Sequence, residues 1–311
     1  MLSAFGNDPI LTDSSNFELY VYTDYTDYAG IFLLSNGSVF GFGFVRASES
    51  TANNITFLLT IVHRASHSVI WAANTDSPVY LLDSNFVFDK DGYAHLESAA
   101  GSTLWATNAS RKGAFMRLLD SSNLVVLGRD NTPTSPPLWS SFSNPASTLV
   151  SSQVFVAGMT LKNMAYRLDI KSGDMMMYYT GLKTPQLYLS PSTDIRTITD
   201  ISRDIYSAKL GSAYWYLYDR SGSLVSHLFI PNDGREAATN ANDTLTAVLG
   251  GDGSIAFSIL RHTPRRLPDG GGNLPPCVAA AGRAPPSLDA GEDEERRIPP
   301  RCFSWAARAP P

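Results

Sequence analysis

The sequence predicts an all-β protein, and three observations carry that prediction. Tryptophans recur in phase, with Trp71, Trp105 and Trp139 standing 34 residues apart. Between them the apolar runs are short, rich in Val, Phe, Leu, Tyr and Trp, and closed by Gly, Ser, Asn or Asp, which is strand–turn–strand grammar. A 34-residue period also has a helical reading, but that requires two helices per unit with apolar residues at 3.6 spacing, and the short punctuated runs do not supply them.

In chain order, the first unit reads IFLL, the turn SNGS, VFGFGFV, a polar loop, ITFLLTIV and VIW. The alternating glycines of VFGFGFV set Phe40, Phe42 and Phe44 on one strand face and almost nothing on the other. The second unit is NFVF, the turn DKDG, YAHLES, the turn AAGS and TLWATN. The third is AFMRLL, the turn DSSN, LVVLG, a Pro-rich loop and LWSSF. Residues 30–150 thus hold three four-stranded units, each needing its neighbours to bury an aromatic face. From 153 to 262 three hairpin-like pairs follow without the period: YRLDI with MMMYY, AYWYLYD with LVSHLFI, and LTAVLG with IAFSIL. Residues 263–311 turn rich in Pro, Gly, Ala and Arg and poor in large apolar side chains, the composition of a disordered tail.

Composition narrows the function classes. Of 311 residues, 43% are apolar and 17% charged, which suits a globular core. A net charge of −5 without a basic stripe excludes nucleic acid as a partner. No apolar run approaches the ~18 residues that span a bilayer, and MLSAFGNDPILTD lacks the charged and apolar regions of a signal peptide. The two cysteines, Cys277 and Cys302, leave residues 1–276 without disulfide or thiolate chemistry. Sequons begin at Asn36, Asn54, Asn108 and Asn242, about as many as chance supplies in a chain rich in Ser and Thr.

The motifs FLLSNGSVFGFGF, VIWAANTDSPV, LWATN, LLDSSNLVVL and LWSSFSNPASTLV, in that order, resemble the bulb-type (G-type) lectin domain of plant S-domain receptor-like kinases. The resemblance covers residues 30–152 and extends more weakly over 153–262. It implies a β-prism II fold: three four-stranded sheets around a pseudo-threefold axis, with Trp71, Trp105 and Trp139 at the centre. Two prisms in tandem are expected, residues 18–152 and a divergent lectin-like 153–262, flanked by a flexible 1–17. It also implies a plant glycoprotein acting in recognition outside the cell or at the plasma membrane. The family's Cys-rich modules, membrane span and kinase motifs do not follow residue 262, so the expectation is a non-enzymatic ectodomain piece of a longer receptor.

Mannose-binding relatives place Q-x-D-x-N-x-V-x-Y on one strand, so that alternate side chains hydrogen-bond vicinal hydroxyls while Val packs the sugar's apolar face. Here DKDGYAHLE aligns Asp89, Asp91, Tyr93, His95 and Glu97, matching only at Asp91. LLDSSNLVVL aligns Ser121, Asn123 and Val125, matching at the last two, and GGDGSIAFS keeps only Asp252. Degenerate carbohydrate sites at Asp89, Asp91, Tyr93, His95, Ser121, Asn123 and Val125 are therefore expected. Three readings stay open: mannose binding in the family's mode, a structural prism whose sites have decayed, and glycan binding in another mode. The alternative function is a protein–protein recognition scaffold or soluble decoy without sugar binding, and the expected partners are glycans, a protein ligand or co-receptor, or a second copy of the chain.

Other candidates have simpler readings. His63 and His67 are spaced H-x3-H without a carboxylate or cysteine cluster, which suits a surface loop better than a metal site. DKDG lacks the flanking ligands of a calcium loop and reads as a β-turn. Tyr214, Trp215, Tyr216 and Tyr218 could stack sugars, although alternation between core and surface explains them as well. Nothing suggests a catalytic triad, a metal or a cofactor.

Overall fold

A computed structural model describes residues 10–12, 17–20, 30–48, 50, 55–80, 84–98, 100–109, 111–129, 135–191, 203–230, 243–261 and 304–305. Among them there is no helix, and all regular structure is strand. The chain forms two compact units, Met1–Phe155 with Arg261–Pro264, and Val156–Leu260 with Arg265–Pro311.

The first unit contains β1 (Ile10–Thr12), β2 (Phe17–Tyr20), β3 (Gly30–Leu34), β4 (Phe40–Arg46), β5 (Thr56–His63), β6 (Ser68–Ala72) and β7 (Val79–Tyr80). It continues with β8 (Ser84–Phe88), β9 (Ala94–Ser98), β10 (Thr103–Ala106), β11 (Phe115–Leu118), β12 (Leu124–Leu127), β13 (Trp139–Ser140) and β14 (Thr148–Val150). Three antiparallel sheets result: β3-β4-β5-β6 with β7 on β5, then β10-β9-β8-β2, then β1-β11-β12-β13. Each sheet donates one tryptophan. The indoles of Trp71, Trp105 and Trp139 meet edge to face, with centroids 5.6, 5.7 and 5.9 Å apart. Three quadrupolar rings at these angles place positive edges on negative faces around a closed triangle. Trp71 also donates its indole N–H to the Asn144 carbonyl at 2.8 Å.

One expectation needs correction here. The second and third sheets do not draw all four strands from residues 30–150, because β2 and β1 complete them at their edges. Within the segment 1–17, Ile10–Thr12 pairs with Phe115–Arg117 and Phe17 pairs with Phe88.

Gly43 and Gly41 explain the FGFGF strand. A Cβ on Gly43 would fall 2.2 Å from the Gly30 carbonyl oxygen, and one on Gly41 would fall 2.7 Å from Ile31 Cγ2. On the other face Phe40, Phe42 and Phe44 are fully buried. Phe42 packs against Phe32 and Phe86, whose ring centres lie 5.2 and 5.6 Å away, which ties the first sheet to the second. His63 ends β5 with no exposed surface, stacked beside Phe40 and joined through Nδ1 to the Ser66 hydroxyl at 2.8 Å. The surface-loop reading of His63 is overturned: Phe40 is its cross-strand partner, so the pleat turns the imidazole inward.

Strand β15 (Val154–Val156) straddles the division after Phe155, and the second unit contains β16 (Thr160–Asn163), β17 (Tyr166–Lys171), β18 (Asp174–Tyr179), β19 (Gln186–Leu189) and β20 (Ser207–Leu210). After them come β21 (Tyr214–Tyr218), β22 (Leu224–Phe229), β23 (Thr244–Leu249), β24 (Ile255–Leu260) and β25 (Ser304–Trp305). Strands β16 to β19 form one antiparallel ladder, β20 to β22 a second, and β23 to β25 a third. Within β21, Trp215 and Leu217 turn into the core while Tyr214, Tyr216 and Tyr218 keep partial exposure on the opposite face. Of the tail expected to be disordered, only the Ser304–Trp305 backbone, paired with Ile255–Ala256, is among the described residues. Cys277, Cys302, Asn54 and Asn242 lie outside them.

Candidate functional site

The turn joining β8 to β9 sets the candidate site. Asp89 Oδ1 accepts the backbone N–H groups of Asp91 and Tyr93 at 2.8 and 3.0 Å, and the Gly92 N–H closes onto the Asp89 carbonyl. Gly92 takes a positive φ of 72°, as a hairpin with a bulge at its last turn residue requires. Period-2 alternation then decides which side chains face out. Ala94 and Leu96 are fully buried, and Tyr93, His95 and Glu97 lie on the opposite face of β9.

Beside them β10 carries an irregularity between Thr103 and Trp105, after which Trp105 pairs with Leu96 and Ala106 with His95. The result is a cleft of about 580 Å³. Asp89, Tyr93, His95 and Glu97 line one side, and Thr103, Thr107 and Asn108 line the other. His95 Nε2 lies 3.0 Å from Glu97 Oε1, with both side chains partly exposed. Asp89 spends one oxygen on the turn, and Thr107 Oγ1 accepts the Ala94 N–H at 3.0 Å. Hydrogen-bonding groups remain for a polyhydroxylated ligand on Asp89, Tyr93, Glu97, Thr103 and Asn108, with the Tyr93 ring available to an apolar sugar face.

Not all the expected residues meet there. Asp91 is outside the lining, paired with Lys112, whose hydrogen bond and charge hold the carboxyl below the ordinary aspartate value. Lys112 reaches it because Gly92 and Gly113 touch: a Cβ on Gly92 would fall 2.2 Å from the Gly113 carbonyl carbon and oxygen. Asn123 Oδ1 instead accepts the Ser141 hydroxyl at 3.2 Å and the Phe142 N–H at 3.1 Å. Val125 is 2% exposed, and the Ser121 carbonyl accepts the Ser152 hydroxyl at 2.8 Å. In the third sheet the motif remnants therefore serve the turn and core. Asp252 behaves alike, accepting the N–H and hydroxyl of Ser254 at 3.0 and 2.7 Å.

The cleft also contains residues that strand alignment did not single out as site residues, namely Glu97, Thr103, Thr107 and Asn108. Glu97 shares the alternation of Tyr93 and His95, so its position was available in YAHLES; the β10 residues join only through the pairing register. Asn36 and Asn108 are exposed. Among the described residues no group of three or more His, Cys, Asp or Glu is placed to hold a metal ion.

A family profile described as D-mannose binding lectin matches residues 68–168. The chain is 39% identical over 247 residues to the G-type lectin S-receptor-like serine/threonine-protein kinase SD2-5 of Arabidopsis thaliana, covering 76% of this chain and 28% of that relative. It is 24% identical over 205 residues to the rice kinase LECRK3 of the same description, covering 60% of this chain and 24% of the relative. The chain thus spans under a third of the length of these relatives. Among solved structures, a two-domain fetuin-binding agglutinin from Scilla campanulata is 16% identical, covers 77% of this chain and 90% of its own, and has a TM-score of 0.28, too low to bear on the fold.

Proposed function

Because the chain is a bulb-type lectin domain protein related to G-type lectin S-receptor-like kinases, we propose that it is a non-enzymatic carbohydrate-recognition module with a single working sugar site in the first unit. The observation that carries this reading is the cleft on β9 and β10, where Asp89, Tyr93, His95, Glu97 and Asn108 converge. The remnants at Asn123 and Asp252 are bound into turns instead. The site recognises mannose-type sugars through donors and acceptors that differ from the family's motif, so the glycan mode is altered rather than lost. In the longer protein this module acts outside the cell, ahead of a kinase.

The test uses the unglycosylated chain on an oligomannose-bearing glycan array, followed by calorimetry. Saturable binding lost in Glu97→Ala and Tyr93→Ala, but kept in Asp91→Asn, is expected. Binding lost in Asp91→Asn and kept in Glu97→Ala would move the site off the cleft.

A second reading, a protein-recognition scaffold, has its own support in the second unit. Tyr214 contacts Tyr216, His227 and Phe229 with centroids 5.9, 4.7 and 5.8 Å away, and Phe229 is 59% exposed. Such a surface suits a co-receptor or a second copy. Absence of glycan binding together with a dimer in solution that dissociates in Phe229→Asp would favour it.

A further inference from the structure

Two asparagines follow the first two axial tryptophans at the same distance, yet the fold uses them differently. In each sheet a backbone N–H seeks a side-chain acceptor just past the tryptophan strand. In the first sheet the Leu59 N–H donates to Asn74 Oδ1 at 2.8 Å. In the second the Ala94 N–H donates to Thr107 Oγ1, and in the third the Leu124 N–H donates to Ser141 Oγ, both at 3.0 Å. The backbone register is the same throughout, since the N–H groups of Ala73, Thr107 and Ser141 bond to the carbonyls of Leu59, Ala94 and Leu124. At the Ala73 position the first sheet has no hydroxyl, so Asn74 performs the task and is 4% exposed. Thr107 performs it in the second sheet, and Asn108 is released.

The released Asn108 is exposed, lines the cleft, and has no hydrogen bond to its side chain among the described residues. It also opens the acceptor sequence Asn108-Ala109-Ser110. We propose that Asn108 is N-glycosylated and that the proximal sugars of its own glycan occupy the β9–β10 cleft, so that glycosylation sets whether the site is open to outside ligands. The inference rests on the reading of this cleft as a sugar site. Tethering makes it effective: a short linker holds the glycan at an effective concentration on the order of 1 mM, so a cleft with a Kd of about 0.1 mM stays about nine-tenths filled. An external glycan then sees an affinity about tenfold weaker.

The chain is secreted from insect cells behind a leader and compared with Ser110→Ala, which keeps Asn108 but removes the acceptor sequence. Glycopeptide mass spectrometry should find the Asn108 peptide modified. Under native conditions, release of that glycan by a peptide N-glycosidase should be about tenfold slower than in Tyr93→Ala, where the cleft wall is cut back. Ser110→Ala should bind oligomannose about tenfold more tightly than the secreted wild type. An unmodified Asn108, or release at the same rate in wild type and Tyr93→Ala, overturns the proposal. If Ser110→Ala binds no glycan while the release difference persists, the lectin reading fails and the occupancy stands.

Discussion

Trp105 lies between two other indoles, and its loss removes two edge-to-face contacts and the centre of a shared core. Trp105→Ala should lower the stability of the first unit by about 3–5 kcal/mol, read from its urea midpoint. Trp71→Phe keeps most of the packing but loses the bond to the Asn144 carbonyl, so a smaller cost of about 1 kcal/mol is expected in the same experiment. Ser122 points the other way. It holds a φ of 69° in the DSSN turn and buries a hydroxyl with no hydrogen-bond partner among the described residues. Ser122→Gly removes both penalties and should raise stability by about 0.5–1 kcal/mol, net of the extra freedom glycine has when unfolded.

At the scale of elements, one hairpin design recurs at Asp89, Leu119, Asp219 and Gly250, each with an N–H-to-carbonyl pair four residues apart and a fourth residue at positive φ. Asp219 shows how the side chain secures it. The Ser221 hydroxyl, then the Ser223 and Ser221 N–H groups and the Arg203 charge, hold its carboxyl below the ordinary aspartate value. A group whose folded value is depressed stabilises fully above its unfolded value, and that contribution vanishes as pH falls through the folded one. Asp219→Asn should therefore flatten the acid limb of stability against pH, measured by urea melts across the aspartate range, and leave the slope above it unchanged. In the β8–β9 hairpin, Gly92→Ala drives a Cβ onto the Gly113 carbonyl at a φ that disfavours it. Lower thermal stability is expected together with separation of Asp91 from Lys112, visible as an upward shift in the Asp91 carboxyl titration by NMR.

Across the whole molecule, legibility followed the range of the interaction. The 34-residue tryptophan period, the turns DKDG, RSGS and GDGS, and the alternation of YAHLES are local signals that pointed to all-β architecture, and the resemblance to the family's sugar motif supplied three of the residues that line the cleft. What stayed hidden depended on partners distant in sequence. Lys112 takes Asp91 from 21 residues away because two glycines let the loops touch. The short segments ILT and FELY become strands through partners at Phe115–Arg117 and Asn85–Phe88, with too few residues to announce themselves. His63 looked like half of a spaced pair until the pleat placed it against Phe40. Asn123 and Val125 matched a sugar motif in letters, while the Ser141–Phe142 segment claimed the first and the core the second.

The tryptophan triangle has an optical consequence. Three indoles with centroids within 6 Å of one another couple electronically, so their transitions mix and their emission depolarises by transfer around the triangle. The exciton signal of this triangle belongs to the first unit, whereas Trp215 in the second packs against the Phe257 ring. The chain therefore carries its own label: melting of the lectin unit can be followed by the loss of coupling, without an attached dye.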